Sequence, residues 1–171
     1  MVSESSGGFD DFVAGRARSL MRTAWVLTGN WSTAEDLVQT ALAKTWHRWD
    51  RIRRTDDPEV YVRRVMSNTY ASWMRRLWSR ELPVERVPDR VSVDDLEVEA
   101  ALRLGVAAAL NRLSRKQRVV VALRLFDDLP EAQVADIRGC PVGTVKSTTA
   151  QALARLRTDA ELAALAREVS S

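Results

Sequence analysis

Residues 127–157, DDLPEAQVADIRGCPVGTVKSTTAQALARLR, leave the backbone few choices. Pro130 cannot continue a preceding helix but suits the first turn of a new one. Gly139 supplies the left-handed backbone angle on which helices end. Pro141 then opens a second helix, predicted to run to about Arg157. Apolar residues at three- and four-residue spacing mark the inward faces: Ala132, Val134, Ala135 and Ile137, then Val142, Val145, Thr149, Ala152, Leu153 and Leu156. The outward positions of the second helix are Thr144, Lys146, Ser147, Thr148, Gln151 and Arg155, a set that is short, polar and free of acids. Such a face fits a major groove, donating to phosphates and meeting base edges. The pattern is that of a helix-turn-helix with its recognition helix second. The other reading is an ordinary helical hairpin with a solvated face. Gly139, Gly143, Lys146 and Ser147 do not form a phosphate loop, which needs glycine directly before the lysine.

The net charge of +3 conceals a pattern. Lys44 to Arg80 holds ten basic residues against four acids, Val84 to Glu99 six acids against two Arg, and Ala101 to Leu125 six basic residues and no acid. Two basic blocks suggest two contacts with a polyanion. Cys140 and His47 are the only residues of their kinds. They exclude an internal disulfide and a Cys/His metal site, and they fit a reducing cytosol. Cys140 reads as a small turn residue. No long apolar run and no signal-peptide pattern is present, so a cytoplasmic protein without membrane insertion is expected. A lone His, a lone Cys and scattered carboxylates make no recognisable active site, cofactor site or small-molecule substrate site.

All six Trp and both Tyr lie between Trp25 and Trp78, whereas the second half is rich in Ala, Leu and Val. Two differently built cores are therefore expected: an all-α fold of two small helical domains joined by a flexible acidic linker. Residues 1–8 are expected to be disordered. A helix follows over Phe9–Leu27, with Phe9, Phe12, Val13, Leu20, Ala24 and Leu27 inward, and Gly29 and Asn30 break it. Ser32 and Glu35 suggest a capping box for a helix over Thr33–Trp49. Its buried side is Leu37, Val38, Ala41, Leu42, Thr45 and Trp46; the other is Asp36, Gln39, Thr40, Ala43 and His47. That second face is either solvated or a docking surface for a partner helix.

Trp49 to Asp57 reads as a basic loop. Asp57, Pro58 and Glu59 open the next helix, predicted to reach Arg80. Val62, Val65, Met66, Thr69, Trp73 and Leu77 face inward. Arg63, Arg64, Asn68, Arg75, Arg76 and Arg80 stay open to a ligand, with Tyr61, Tyr70 and Trp78 interleaved. Cations for phosphates and rings for unpaired bases suit single-stranded nucleic acid. Residues 81–93 look extended, Ala100–Leu110 helical, and Ser114 with Gln117 opens a helix over Arg115–Phe126. Thr158–Val169 is a short helical tail.

These residues resemble the bacterial sigma factors of the extracytoplasmic-function group, in particular the actinobacterial sigma-E branch. The matches are Leu27-Thr28-Gly29 with Ala34-Glu35-Asp36-Leu37-Val38-Gln39, then Tyr61-Val62-Arg63-Arg64 leading to Asn68, then Gly143-Thr144-Val145-Lys146-Ser147 leading to Ala154-Arg155-Leu156-Arg157. They occur in family order. The resemblance implies a sigma-2 domain over 9–80 that recognises and melts the minus-ten promoter element, a linker over 81–99, and a sigma-4 domain over 100–157 that reads the minus-thirty-five element; residues 158–171 form a tail. It implies that Asp36, Gln39, Thr40 and Ala43 dock on core RNA polymerase. Arg51 to Thr55 form a loop that captures a flipped base, and Arg51, Arg53, Arg54, Tyr61, Arg64, Asn68, Arg75 and Arg76 meet minus-ten DNA. Thr144, Lys146, Ser147, Thr148, Gln151 and Arg155 meet minus-thirty-five DNA. Many family members carry Arg at the positions of Thr148 and Gln151, and Arg138 stands where an apolar residue is usual. The implied partners are core RNA polymerase, promoter DNA and an anti-sigma factor. A stand-alone helix-turn-helix regulator is the alternative function.

Overall fold

In the computed structural model, which describes residues 4–55, 57–79 and 105–169, every regular element is helical. Helix α1 spans Glu4–Thr28, so the helix begins before Phe9 and takes in part of the stretch expected to be disordered. Gly29, at φ +69°, ends it, and Asn30 caps α2, Trp31–Trp46, by accepting the Thr33 amide at 2.9 Å. The expected Ser32/Glu35 box is not the cap. With Asn30 in the extended N-cap conformation, Ser32 already lies inside the helix.

Trp49 to Thr55 is a helix, α3, rather than a loop. Trp49 and Ile52 are both buried, three residues apart, and anchor it. Asp50 in its first turn and Arg53 and Arg54 in its last complement its dipole. The Trp49 ring meets Phe9 edge-on at 5.1 Å and Phe12 at 5.2 Å. Trp46, expected to be core, is 41% exposed; its ring lies edge-on to Phe9 at 5.0 Å, at the end of α2. Helix α4, Pro58–Ser79, starts as predicted, with Asp57 Oδ1 accepting the Glu59 amide at 2.9 Å.

Residues 105–111 form α5. The Ser114/Gln117 capping box is present at 3.2 and 3.0 Å and opens α6, Arg115–Val121. The helix widens into a π-helical turn over Ala122–Phe126, and the Asp127 amide reaches back to the Ala122 carbonyl. Helices α7, Glu131–Arg138, and α8, Val142–Arg157, form the helix-turn-helix around Gly139 at φ +61°. Helix α9, Ala160–Val169, begins after Asp159, whose Oδ1 accepts the Leu162 amide. Ala132 and Val142, expected inward, are exposed: each sits in the first turn of its helix, outside the seam that Val134, Ile137, Val145 and Ala152 close.

The two halves do not keep separate cores. Leu20, Ala24, Leu27, Val62, Met66 and Tyr70 of the first half join Leu110, Val119, Val120, Leu123, Val134 and Val145 of the second in one buried cluster. Helix α1 packs on α6 and the π turn, and α4 on α7. The expected linker, 81–99, lies outside the described residues, as do Arg80 and residues 100–104.

Candidate nucleic-acid interface

Helix α8 presents Thr144, Lys146, Ser147, Gln151 and Arg155 to solvent, as its spacing predicts. Thr148 is half-buried instead. It stands three residues after Val145 and four before Ala152, both fully buried, so it flanks the seam. No side chain caps the α8 N-terminus, leaving backbone donors facing outward beside Lys146. Lys146 Nζ lies 3.8 Å from Glu131 of α7 in an exposed pair that a stronger anion can displace. Arg155 reaches Gln117 Oε1 at 3.5 Å. Arg138 is half-buried and donates to the Lys116 carbonyl at 3.3 Å, so a charged residue closes α7 by reaching past the apolar seam to a carbonyl in the first turn of α6.

In the first half, α2 and α4 frame two concavities, one after the other along the same side of the helix pair. One, about 480 Å³, is lined by Lys44, His47, Arg48, Tyr61, Val65, Asn68, Thr69 and Ser72. Lys44 Nζ donates to Thr69 Oγ1 at 3.0 Å and ties the two helices together there. Asn68 is exposed and Tyr61 half-buried, so an amide and a ring edge face a cationic wall. Lys44, Arg48 and Ser72 were missed as site residues. Their signal is the spacing of Lys44, His47 and Arg48 on α2 and of Tyr61, Val65, Asn68, Thr69 and Ser72 on α4, which sets each group on one helix face. The other concavity, about 570 Å³, is lined by Thr33, Asp36, Gln39 and Thr40 on α2 and Trp73, Met74 and Arg76 on α4. Trp73, read as core, packs against the core and also forms the floor of this groove. Ala43 is exposed further along α2. Arg51, Arg53 and Arg54 are exposed on α3, and Arg75 and Arg76 on α4. The Arg53 guanidinium pairs with Asp50 at 3.0 Å.

Two residues expected to be open to a ligand are not. Arg63 is 2% exposed and clamped between α1 and the second half. Burial works against its charge, but Asp127 and then Glu59 outweigh burial and hold the guanidinium above its usual pKa. Tyr70 is likewise buried, and burial pushes its phenol up while Arg118 and Arg115 oppose the shift. Both misreadings share a cause: the second half covers this side of α4. Arg64 is half-buried and pairs with Asp136 of α7. Arg80 and the side chains of Leu77 and Trp78 lie outside the described residues. Among the described residues no cluster of His, Cys, Asp or Glu could hold a metal ion, and no helix is long and apolar enough to cross a membrane.

The chain matches sigma-70 region 2 over residues 12–80 and sigma-70 region 4 over residues 103–156. It is 41% identical over 153 residues to an RNA polymerase sigma-E factor of Streptomyces avermitilis, covering 90% of this chain and 85% of the relative. It is 33% identical over 152 residues to the ECF RNA polymerase sigma factor SigL of Mycobacterium tuberculosis, covering 82% of each. Among solved structures it is similar to the sigma factor RpoE of Bartonella quintana, crystallised in complex with the anti-sigma factor NepR, with a TM-score of 0.72 at 26% identity over 88% of this chain and 94% of that one. With the two regions matched in order and relatives aligned along most of their length, the chain belongs to the extracytoplasmic-function RNA polymerase sigma factors, in their sigma-E branch.

Proposed function

We propose that the three surfaces just described divide the work of a sigma factor. The chain directs core RNA polymerase to promoters, and the α2 face of exposed Asp36, Gln39 and Ala43 with half-buried Thr40 docks on polymerase. The carrying observation is that this face borders a groove floored by Trp73 and Met74, an apolar seat for a partner helix with polar groups along its edge. The other concavity, with Lys44, His47, Arg48, Tyr61 and Asn68, receives an unpaired base of the minus-ten element. Flipping a base costs a few kcal/mol of stacking, and a cationic pocket with an aromatic wall offsets it. Helix α3 brings Arg51, Arg53 and Arg54 to the backbone of the same strand, with Arg64, Arg75 and Arg76 along α4. Helix α8 reads the minus-thirty-five duplex through Thr144, Lys146, Ser147, Gln151 and Arg155, with Thr148 at its flank. The sigma-2 unit takes residues 9–80 and the sigma-4 unit 100–157.

Sigma factors are regulatory subunits rather than catalysts, and this chain carries no chemistry of its own: polymerase makes the phosphodiester bond. It acts in the cytoplasm, where polymerase and chromosome are. The structure of the Bartonella relative with an anti-sigma factor supports a similar regulatory partner here. Run-off transcription with core polymerase of the source bacterium tests the reading. Wild type starts transcripts at defined sites on a promoter library, and Asp36→Arg/Gln39→Ala does not. If wild type starts nothing yet binds duplex DNA alone and tightly, the stand-alone regulator replaces it.

A further inference from the structure

The Arg63–Asp127 pair joins the two halves of the molecule at its centre. Arg63 Nε donates to Asp127 Oδ2 at 2.8 Å and Nη2 to Oδ1 at 3.2 Å, a guanidinium fork on a carboxylate. Nη2 also donates to Ser19 Oγ at 2.9 Å, and Thr23 Oγ1 donates to Asp127 Oδ1 at 2.6 Å. Glu59 Oε1 sits 2.6 Å from Nη1, an ion pair whose angle misses that of a hydrogen bond. The Asp127 side chain is wholly buried. The chain around it is shaped to deliver it. The π turn adds a residue before Asp127, Asp128 takes a left-handed φ of +51°, and Arg124 Nη1 braces the turn on the Leu129 carbonyl at 2.7 Å. One carboxylate from sigma-4 thus enters a slot built by Ser19 and Thr23 of α1 and Glu59 and Arg63 of α4.

We infer that Asp127 is an intramolecular latch that holds the free chain closed and inactive. This inference rests on the sigma-factor reading. The minus-ten and minus-thirty-five elements lie some 25 base pairs apart, about 85 Å along B-DNA. A folded chain of this length has a radius of gyration of about 16 Å. The closed form therefore cannot touch both elements, and the halves must part. Closing also pairs Arg64, beside the base-binding concavity, with Asp136 of α7. Further ties are Arg118 Nη1 to the Leu27 carbonyl at 3.0 Å and Asn111 Oδ1 packed against Gly29, where an added Cβ would come within 3.0 Å. Burying the charges opposes much of what their attraction contributes, and both regain water when the halves separate. The pair therefore sets the register of closure while leaving it reversible. Polymerase, by engaging the two halves far apart, draws the chain open.

Small-angle scattering of the purified full chain tests this, with Thr23→Val and Asp127→Ala beside wild type and far-UV circular dichroism as the check on folding. Wild type is expected near 16 Å, and the variants move toward about 25–30 Å with their helical signal kept. If the closed form holds nine-tenths of the free chain, opening tightens binding of a single-stranded minus-ten oligonucleotide by about tenfold. Should Asp127→Ala lose its helices, Thr23→Val, which removes one hydroxyl, decides. A wild type already expanded, or folded variants as compact as wild type, overturns the latch. Open variants of a wild type that drives no transcription with polymerase leave the latch standing and remove the sigma reading. Intact transcription with unchanged dimensions does the reverse.

Discussion

Replacing Arg63 by Met separates the energetics of the buried pair from those of the fold. The substitution keeps most of the side-chain volume and removes the charge, leaving the Asp127 carboxylate wholly buried with the Thr23 hydroxyl as its remaining donor on α1. Glu59 keeps Arg16 at 3.1 Å and is little affected. Removing one partner of a buried pair costs about 3–5 kcal/mol. In a chain of this size that is a fall in Tm of about 6–20 °C. A ceiling applies, however: the halves can part and let water reach Asp127, so the loss cannot exceed the free energy of closing. The expected melt is therefore a low-temperature step as the halves separate, followed by unfolding of each half. The double variant Arg63→Met/Asp127→Leu replaces both charges with apolar groups of similar size and is expected within about 1–2 kcal/mol of wild type, on either side. Urea melts of the four proteins, followed by circular dichroism, give a coupling of about 4 kcal/mol or more where each single change costs its full 3–5 kcal/mol, and less where the ceiling intervenes. Additive losses from the two single changes would refute the idea that the charges act as one unit. The double variant should also transcribe less than wild type, since its closure no longer hydrates charges on opening.

Gly139→Ala places a side chain at φ +61° with open space around it, so only backbone strain counts, about 1–2 kcal/mol, read as a fall in Tm of about 2–8 °C. Lys146→Ala should weaken binding to minus-thirty-five duplexes of any sequence and flatten the slope of log K against log salt by about 0.9, as titrations at several salt concentrations will show. Tyr70 gives a pH dependence. Its folded-state pKa is raised above the usual value of 10.0, so the folded chain holds the proton that the unfolded chain releases. The stability contributed is full below pH 10 and is lost as pH rises through the raised pKa. Thermal melts between pH 9 and 11.5 should show this loss in wild type and a shallower one in Tyr70→Phe.

The helix-turn-helix was readable because each of its decisions is local. Pro130, Gly139 and Pro141 set backbone angles, and the apolar spacing of Val145 and Ala152 orients the helix whatever surrounds it. The Ser114/Gln117 box was readable for the same reason. Where two signals competed, sequence reasoning chose the louder one. The charges of Trp49–Thr55 suggested a loop, while the two buried anchors, Trp49 and Ile52, decided for a helix. Arg63 and Tyr70 could not be placed, because their burial comes from residues 64 and 48 positions away, Asp127 and Arg118. No helical period carries that information. Nor does an arginine in a basic run announce that its partner is one aspartate in a distant turn.

The shared core has a consequence for synthesis. The faces of α1 and α4 that bear Leu20, Ala24, Leu27, Val62, Met66 and Tyr70 are covered by α6 and α7, whose Val134 completes the cluster. At about 5–20 residues per second, the ribosome needs roughly 3–13 s to pass from Tyr70 to Val134. Through that interval the nascent first half carries an uncovered apolar face, long enough for a chaperone to bind it, or for polymerase to engage the α2 groove before sigma-4 exists to close over α4.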